Sequence, residues 1–387
     1  MEPVQLAAVL AVVVLVASML SVELGVTVAL LELTLGVVAG NVFGLGSQEW
    51  LDFIAAFASI VLTFLAGMEV DPAYMRRRLE ASVGIGVSSF AGPFVVASLV
   101  AFFLLDWTLK ASLIAGTALS TTSLAVVYAV LVERGLTDVG IGKLLMSATF
   151  VTDLCTALAL SAIFVQPNIW FPVFLIVSLA LILALPRIAS WFFGRYGDRV
   201  IEPEIKLVFA CLLLLMVLAN ASNGHAVLPA FVLGLVMSRH YQEHREEQKR
   251  LRVVAFAFLT PFFFLKGGLN VSLGAVLANL GLLAALLAAK MLPKIAFIFP
   301  LAWKAAPRHA TFTTLLMSTG LTFGTISSLY GLNAGIIDET QFSLLVTVVV
   351  LSAVVPTAIA ERWFLPDVDA EQRVDRRSAG AQAEEYV

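Results

Sequence analysis

Residues 147–158 read Ser147-Ala148-Thr149-Phe150-Val151-Thr152-Asp153-Leu154-Cys155-Thr156-Ala157-Leu158, an apolar stretch with one carboxylate near its centre. The surrounding run, 139–164, is long enough to cross a bilayer, so Asp153 falls near the middle of the hydrocarbon layer, where a charge is costly. A carboxylate at that depth is expected to face the protein interior and to be a place where a proton and a cation compete. The plainer alternative is a permanently protonated Asp bonded to a neighbouring helix.

The rest of the chain fits a membrane setting. Of its 387 residues, 60% are hydrophobic and 13% charged, and the mean hydropathy is +0.96. Those values exclude a soluble globular domain and predict an all-α polytopic membrane protein. The two cysteines, Cys155 and Cys211, both lie inside apolar runs and suggest neither a disulfide framework nor a metal cluster. No phosphate loop or catalytic constellation is present, so an enzyme is not expected, nor a cofactor.

A window of about 19 residues places spans at 4–21, 24–44, 50–68, 82–105, 110–132, 139–164, 169–193, 204–220, 225–239, 253–271, 274–301, 309–332 and 341–363. The first lacks a basic n-region and a cleavage site, so it reads as a retained helix. Loops after odd-numbered spans receive Arg76-Arg77-Arg78, Arg134, Arg195 with Arg199, the cluster Arg239, Arg245, Lys249, Arg250 and Arg252, and Lys304 with Arg308. The opposite loops hold almost none, Lys110 being the main exception. The positive-inside rule then predicts the N-terminus outside and the C-terminus in the cytoplasm, which agrees with about thirteen spans. The basic residues follow topology, so no nucleic-acid partner is implied. The polar tail, 366–387, reads as disordered and the transmembrane part as 1–365.

The two halves of the chain echo one another. Span three ends Phe64-Leu65-Ala66-Gly67-Met68-Glu69-Val70-Asp71, and span ten ends Phe264-Leu265-Lys266-Gly267-Gly268-Leu269-Asn270-Val271. At the same offset of seven spans, Leu35-Gly36-Val37-Val38-Ala39-Gly40 pairs with Phe231-Val232-Leu233-Gly234, and Ser120-Thr121-Thr122 with Ser318-Thr319-Gly320. An odd offset inverts topology, the mark of a transporter made of two inverted repeats with a site at their interface. Spans five and twelve carry hydroxyls and glycines at mid-depth, in Gly116–Ser123 and Ser318–Thr325. Helix propensity is low there, so both helices are expected to break and cross. The expected lining of the break is Ser120, Thr121, Thr122, Ser318, Thr319 and Thr322, beside Thr152 and Asp153. Close helix packing through small residues is the competing explanation for either segment alone.

Buried cations are the remaining candidates. Lys290 and Lys294 lie in span eleven and Lys266 in span ten, deep enough to modulate proton binding at Asp153 or, alternatively, to bond broken-helix carbonyls. Glu32, on span two, is the other acid at depth, and an interhelical contact is its simpler role. Glu69 and Asp71 read as interface anchors, and His225, His240, His244 and His309 as solvated, although imidazole titrates in the physiological range.

The motifs Ala118-Leu119-Ser120-Thr121-Thr122-Ser123-Leu124-Ala125-Val126-Val127-Tyr128, Phe150-Val151-Thr152-Asp153-Leu154, Phe64 to Asp71 and Pro261-Phe262-Phe263-Phe264 resemble the second family of monovalent cation:proton antiporters. That resemblance covers nearly the whole membrane part. It implies a thirteen-helix fold in which a core, about 82–164 and 274–363, slides against dimerisation helices, about 4–68 and 169–271, of a homodimer. It implies Na⁺ or K⁺ exchanged for H⁺ at Asp153, a monovalent-cation site only, in the cell membrane. It also implies a basic residue on span eleven, Lys290 or Lys294, that pairs with an aspartate or steadies the core. This chain departs from the family at one place. Where electrogenic relatives carry two aspartates and others Asn-Asp or Gln-Asp, it has Thr152-Asp153. One carboxylate predicts electroneutral one-for-one exchange, Na⁺ being favoured over K⁺ and the choice between them left open. A sodium-coupled solute symporter of a related inverted-repeat fold is the rival reading, with a channel or sensor behind it.

Overall fold

The computed structural model describes residues 2–24, 27–68, 78–136, 139–164, 168–197, 199–224 and 226–367. Glu69, Asp71, Arg76, Arg77, His225 and the tail from 368 onward, all singled out above, lie outside the described residues. The described chain is helical throughout. In order the helices are α1 (Pro3–Leu24), α2 (Val28–Phe43), α3 (Glu49–Met68), α4 (Leu79–Leu104), α5 (Leu109–Ser120), α6 (Leu124–Glu133), α7 (Gly140–Phe164) and α8 (Phe171–Tyr196). There follow α9 (Pro203–Ala221), α10 (Val227–Glu243), α11 (Arg245–Leu269), α12 (Leu273–Ala278), α13 (Leu280–Ala305), α14 (Ala310–Met317), α15 (Thr322–Asn333) and α16 (Glu339–Trp363). Nine of the described helices are long and apolar enough to cross a membrane, and α2 and α5 are shorter apolar helices. This is the multi-pass architecture that the hydropathy predicts.

Two expected boundaries move. The tenth span begins at Arg245 rather than 253, because the charged segment 245–252 is itself helical, with Glu246 and Glu247 in its first turn. Charge hides such a turn from a hydropathy window, yet acids at a helix N-terminus favour it. The eleventh begins at Leu280 rather than 274, after the separate short helix α12 and the break at Asn279.

The two polar spans do break. Four consecutive hydroxyl residues, Ser120 to Ser123, compete with the helical backbone for hydrogen bonds, and Thr121 leaves the helix in an extended conformation, φ −65° and ψ 153°. The second break runs between Met317 and Thr322, around Gly320. At their crossing the Ser123 amide donates to the Thr319 carbonyl at 3.1 Å.

The chain forms two compact units. One comprises Met1–Asp71, Leu154–Leu277 and Asp338–Ser343; the other comprises Pro72–Asp153, Ala278–Ile337 and Leu344–Val387. Inside the first, α2 packs on α11 and α3 on α10. Both crossings are held by glycines. A Cβ on Gly36 would meet the Leu265 carbonyl oxygen at 2.5 Å, and one on Gly234 would run into the Phe64 carbonyl oxygen. Gly36 and Gly234 are repeat mates, and so are the helix pairs they join, which is what an inverted repeat requires of its packing. Inside the second unit, a core of Ile85, Leu131, Leu145, Ile298, Phe312 and Leu316 packs α4, α6, α7, α13 and α14 together.

Candidate functional site

The site grows from the two breaks in the second unit. α5, capped at its start by Thr108 Oγ1, which accepts from the Ala111 amide, stops at Ser120, and α14 stops at Met317. Each stop leaves carbonyls without helical partners and the negative end of a helix dipole. Lys294, fully buried on α13, meets both: its Nζ donates to Thr121 O at 2.9 Å and to Met317 O at 2.8 Å. It also reaches Thr122 Oγ1 and Ser89 Oγ, each at 2.9 Å. Thr122 Oγ1 in turn donates to Met317 O at 2.8 Å, which leaves its lone pairs for the ammonium. Lys290, one turn earlier on the same helix and equally buried, makes a single longer bond of 3.3 Å to Thr121 O. The structure thus separates two lysines that are equivalent as sequence: Lys294 ties the crossing together and Lys290 stands at its side.

Asp153 lies on α7 in the same unit, 1% exposed, and its Oδ1 has no hydrogen-bond partner among the described residues. No direct ion pair joins it to Lys294 among those residues. Thr152 is fully buried, with Oγ1 3.1 Å from both the Gly86 and Ala148 carbonyl oxygens. That contact fastens α7 to α4 immediately before Asp153.

The remaining lining residues divide. Ser120, Thr121, Ser318 and Thr319 turn their hydroxyls back to carbonyls three or four residues earlier, at 2.7 to 3.0 Å. Each donates its proton locally and keeps oxygen lone pairs. Thr322 opens α15 and is partly exposed. Lys266 belongs to the other unit, where its Nζ pairs with Asp52 Oδ1 at 2.7 Å. Glu32 is also in that unit, 1% exposed, with Oε2 unpartnered among the described residues.

Sequence reasoning missed Ser89, Gly86 and the Met317 carbonyl. The segment Gly84-Ile85-Gly86-Val87-Ser88-Ser89 on α4, small or polar at four of its six positions, was the available signal for the first two. Nothing in a side-chain pattern marks a backbone carbonyl. What the cluster offers chemically is a single buried carboxylate in a unit where a lysine side chain meets the converging ends of two helix dipoles.

A family model described as sodium/hydrogen exchanger, transmembrane, matches residues 8–364. The chain belongs to the sodium/hydrogen exchanger family. Relatives of this exchanger-family chain include Probable Na(+)/H(+) antiporter 3 of Methanocaldococcus jannaschii, 25% identical over 332 residues, covering 82% of this chain and 85% of that protein. Na(+)/H(+) antiporter NhaS4 of Synechocystis is 24% identical over 343 residues, covering 82% and 83%. K(+)/H(+) antiporter 1 of Saccharomyces cerevisiae is 25% identical over 366 residues, 84% of this exchanger-family chain but 41% of the yeast protein. Among solved structures, the sodium proton antiporter MjNhaP1 of M. jannaschii shares the fold, with a TM-score of 0.66 at 13% identity over 93% of this chain and 97% of that one.

Proposed function

We propose that this exchanger-family chain is a secondary transporter that exchanges a monovalent cation for H⁺ at Asp153, one for one and without net charge movement. The observation that carries the reading is Asp153 itself: buried in a membrane span, with one carboxylate oxygen unpartnered, in the unit built on two crossed, broken helices. The deprotonated carboxylate takes a partly dehydrated cation with hydroxyl and carbonyl oxygens near it, Thr152 and the residues of the breaks supplying candidates. The protonated carboxyl is the other loaded form. Both forms are neutral, and the empty charged form is not, so burying it costs several kcal/mol and the unloaded core stays put. That difference couples the two fluxes in an elevator-like cycle.

In this proposal the unit containing residues 82–153 and 278–337 carries the ion, and the helices of the other unit form the scaffold and the contact of a homodimer. The chain sits in the cell membrane with its N-terminus outside. Na⁺ is the preferred cation, following the names of the two relatives matched over most of their length; the yeast relative's name makes K⁺ the second reading.

Proteoliposomes holding a pH gradient test it. Added Na⁺ should dissipate the gradient regardless of a potential clamp, and Asp153→Asn should abolish the response while the purified variant stays folded. Cation-evoked proton flux retained in Asp153→Asn refutes the assignment. A response to K⁺ alone moves the selectivity, and no response together with Na⁺-driven solute uptake favours symport.

A further inference from the structure

Glu32 is a buried acid that exchange at Asp153 does not use. It stands on α2 in the first unit, 1% exposed, with Oε2 unpartnered, and no ion pair reaches it among the described residues. The buried ammonium of the same unit, Lys266 on α11, is already committed to Asp52 of α3 at 2.7 Å. Measured along α2 at about 1.5 Å per residue, Glu32 is about 16 Å from the helix end at Phe43, roughly half the hydrocarbon thickness of a bilayer. An ionisable group buried at that depth marks an ion or proton site by default.

What lies level with it follows from the packing of α2 on α11, which run side by side in one direction. A Cβ on Gly36 would meet the Leu265 carbonyl oxygen at 2.5 Å, and one on Gly40 the Leu269 carbonyl oxygen at 2.7 Å. One turn back in the same register, Glu32 falls level with Pro261, on the face of α2 that Gly36 and Gly40 present to α11. At that level α11 is interrupted. Ala255–Leu259 is a π-helical turn, closed by the Thr260 amide, which donates to the Ala255 carbonyl five residues back. The next amide of the series does not exist, because Pro261 has no N–H, so one carbonyl of the turn, at Phe256 or Ala257, is left without its helical donor. Thr260 is 1% exposed, and its Oγ1 has no partner among the described residues. The buried hydroxyls of Thr63, Thr117 and Thr314 each bond the carbonyl four residues earlier, the usual refuge of a helical threonine, and that of Thr260 does not.

We propose that Glu32, Thr260 and the carbonyl freed by Pro261 form a second monovalent-cation site, in the unit that does not hold Asp153. A carboxylate, a hydroxyl and an unwound backbone carbonyl are the kinds of oxygen with which inverted-repeat transporters hold alkali cations at mid-membrane. One carboxylate balances one positive charge, whereas a divalent ion would leave a net charge buried. The ion bridges α2 and α11 next to their closest approach and stabilises the folded chain, whether or not exchange takes place at Asp153.

A cation that binds only the folded chain raises its unfolding midpoint as the free concentration passes the Kd. The test uses the purified full-length Asp153→Asn chain, which lacks the carboxylate of the exchange reading, unfolded in detergent with NaCl, KCl or LiCl against choline chloride at equal ionic strength. At least one of the three salts should raise the midpoint, and the rise should vanish when Glu32→Gln is added. Thr260→Val in the Asp153→Asn chain, close in shape but without the hydroxyl, should raise the half-saturating concentration several-fold. Equilibrium dialysis with radioactive sodium, or with rubidium where KCl is the effective salt, should find one bound ion per Asp153→Asn chain and none in the double variant. No shift and no bound ion in Asp153→Asn, or a shift that Glu32→Gln leaves undiminished, overturns the site. Where Glu32→Gln does not fold, Thr260→Val decides, and an unchanged half-saturating concentration overturns the site. Glu32→Gln alone should still respond to cation through Asp153; loss of that response while Asp153→Asn keeps its own strikes the exchange reading and leaves the second site standing.

Discussion

Replacing Lys294 by methionine keeps most of the side-chain volume and removes the ammonium that bridges Ser89, Thr121, Thr122 and Met317. An ammonium has three protons, so at most three of these four contacts are full bonds at once, and hydrogen bonds to a charged group are worth about 1.5–3 kcal/mol each. The gross loss is offset by the lysine's own desolvation, which ends when the charge is gone. What does not end is the burial of the Thr121 and Met317 carbonyls, the converging ends of two helix dipoles, now without a cation between them. Breaking a buried charged arrangement from one side costs about 3–5 kcal/mol, and that is the destabilisation expected of Lys294→Met. Lys290→Met is the control on the same helix. It gives up one long contact of 3.3 Å, at the weak end of that range, about 1.5 kcal/mol, offset by the end of that lysine's own desolvation. Thermal unfolding in detergent, followed by fluorescence-detected size exclusion, should rank Lys294→Met well below Lys290→Met, with the latter near wild type. If Lys290→Met is the more damaging of the two, the account of the crossing is wrong.

Two further substitutions probe the supports of the site and the scaffold. A Cβ on Gly86 would meet the Val151 Cβ at 2.5 Å and the Ala148 carbonyl oxygen at 2.6 Å, so Gly86→Ala forces α4 and α7 apart. It should cost about 1–3 kcal/mol and slow exchange through the neighbouring Thr152 and Asp153, both read by unfolding and by flux in proteoliposomes. Asp52→Ala strands the buried Lys266 ammonium; because Asp52 is half exposed the penalty should be about 1–2 kcal/mol, and Lys266→Met in the same chain should recover part of it. Exchange should survive both scaffold changes, and its loss would mean that Lys266 acts on transport after all.

How much of this was legible in the sequence differs from feature to feature. The membrane class, the span order and the two helix breaks depend on local quantities, namely hydropathy over about one bilayer thickness and the poor helix propensity of Ser120 to Ser123 and of the segment around Gly320. Such quantities are carried by neighbouring residues, so a one-dimensional reading finds them. Helix ends were less legible: the charged turns Arg245 to Arg252 look like a loop to a hydropathy window and are helical because dipole and side-chain pairing favour them.

The Asp153-Thr152 motif was legible as a buried carboxylate and its neighbour because burial of charge in a membrane is a strong, local anomaly. The partners were not. Lys290 and Lys294 are four residues apart on one helix face, and only the arrival of Thr121 and Met317, each from a separate helix, makes one of them the bridge. The same holds for His240, which reads as solvated until α8 and the start of α11 close over it. Composition and periodicity determined that this chain crosses a membrane many times and buries an acid while doing so. Tertiary structure alone decided which cation meets which carbonyl, because hydrogen bonds form between atoms within about 3 Å of one another, and sequence separation says nothing of that distance once the chain has folded back on itself.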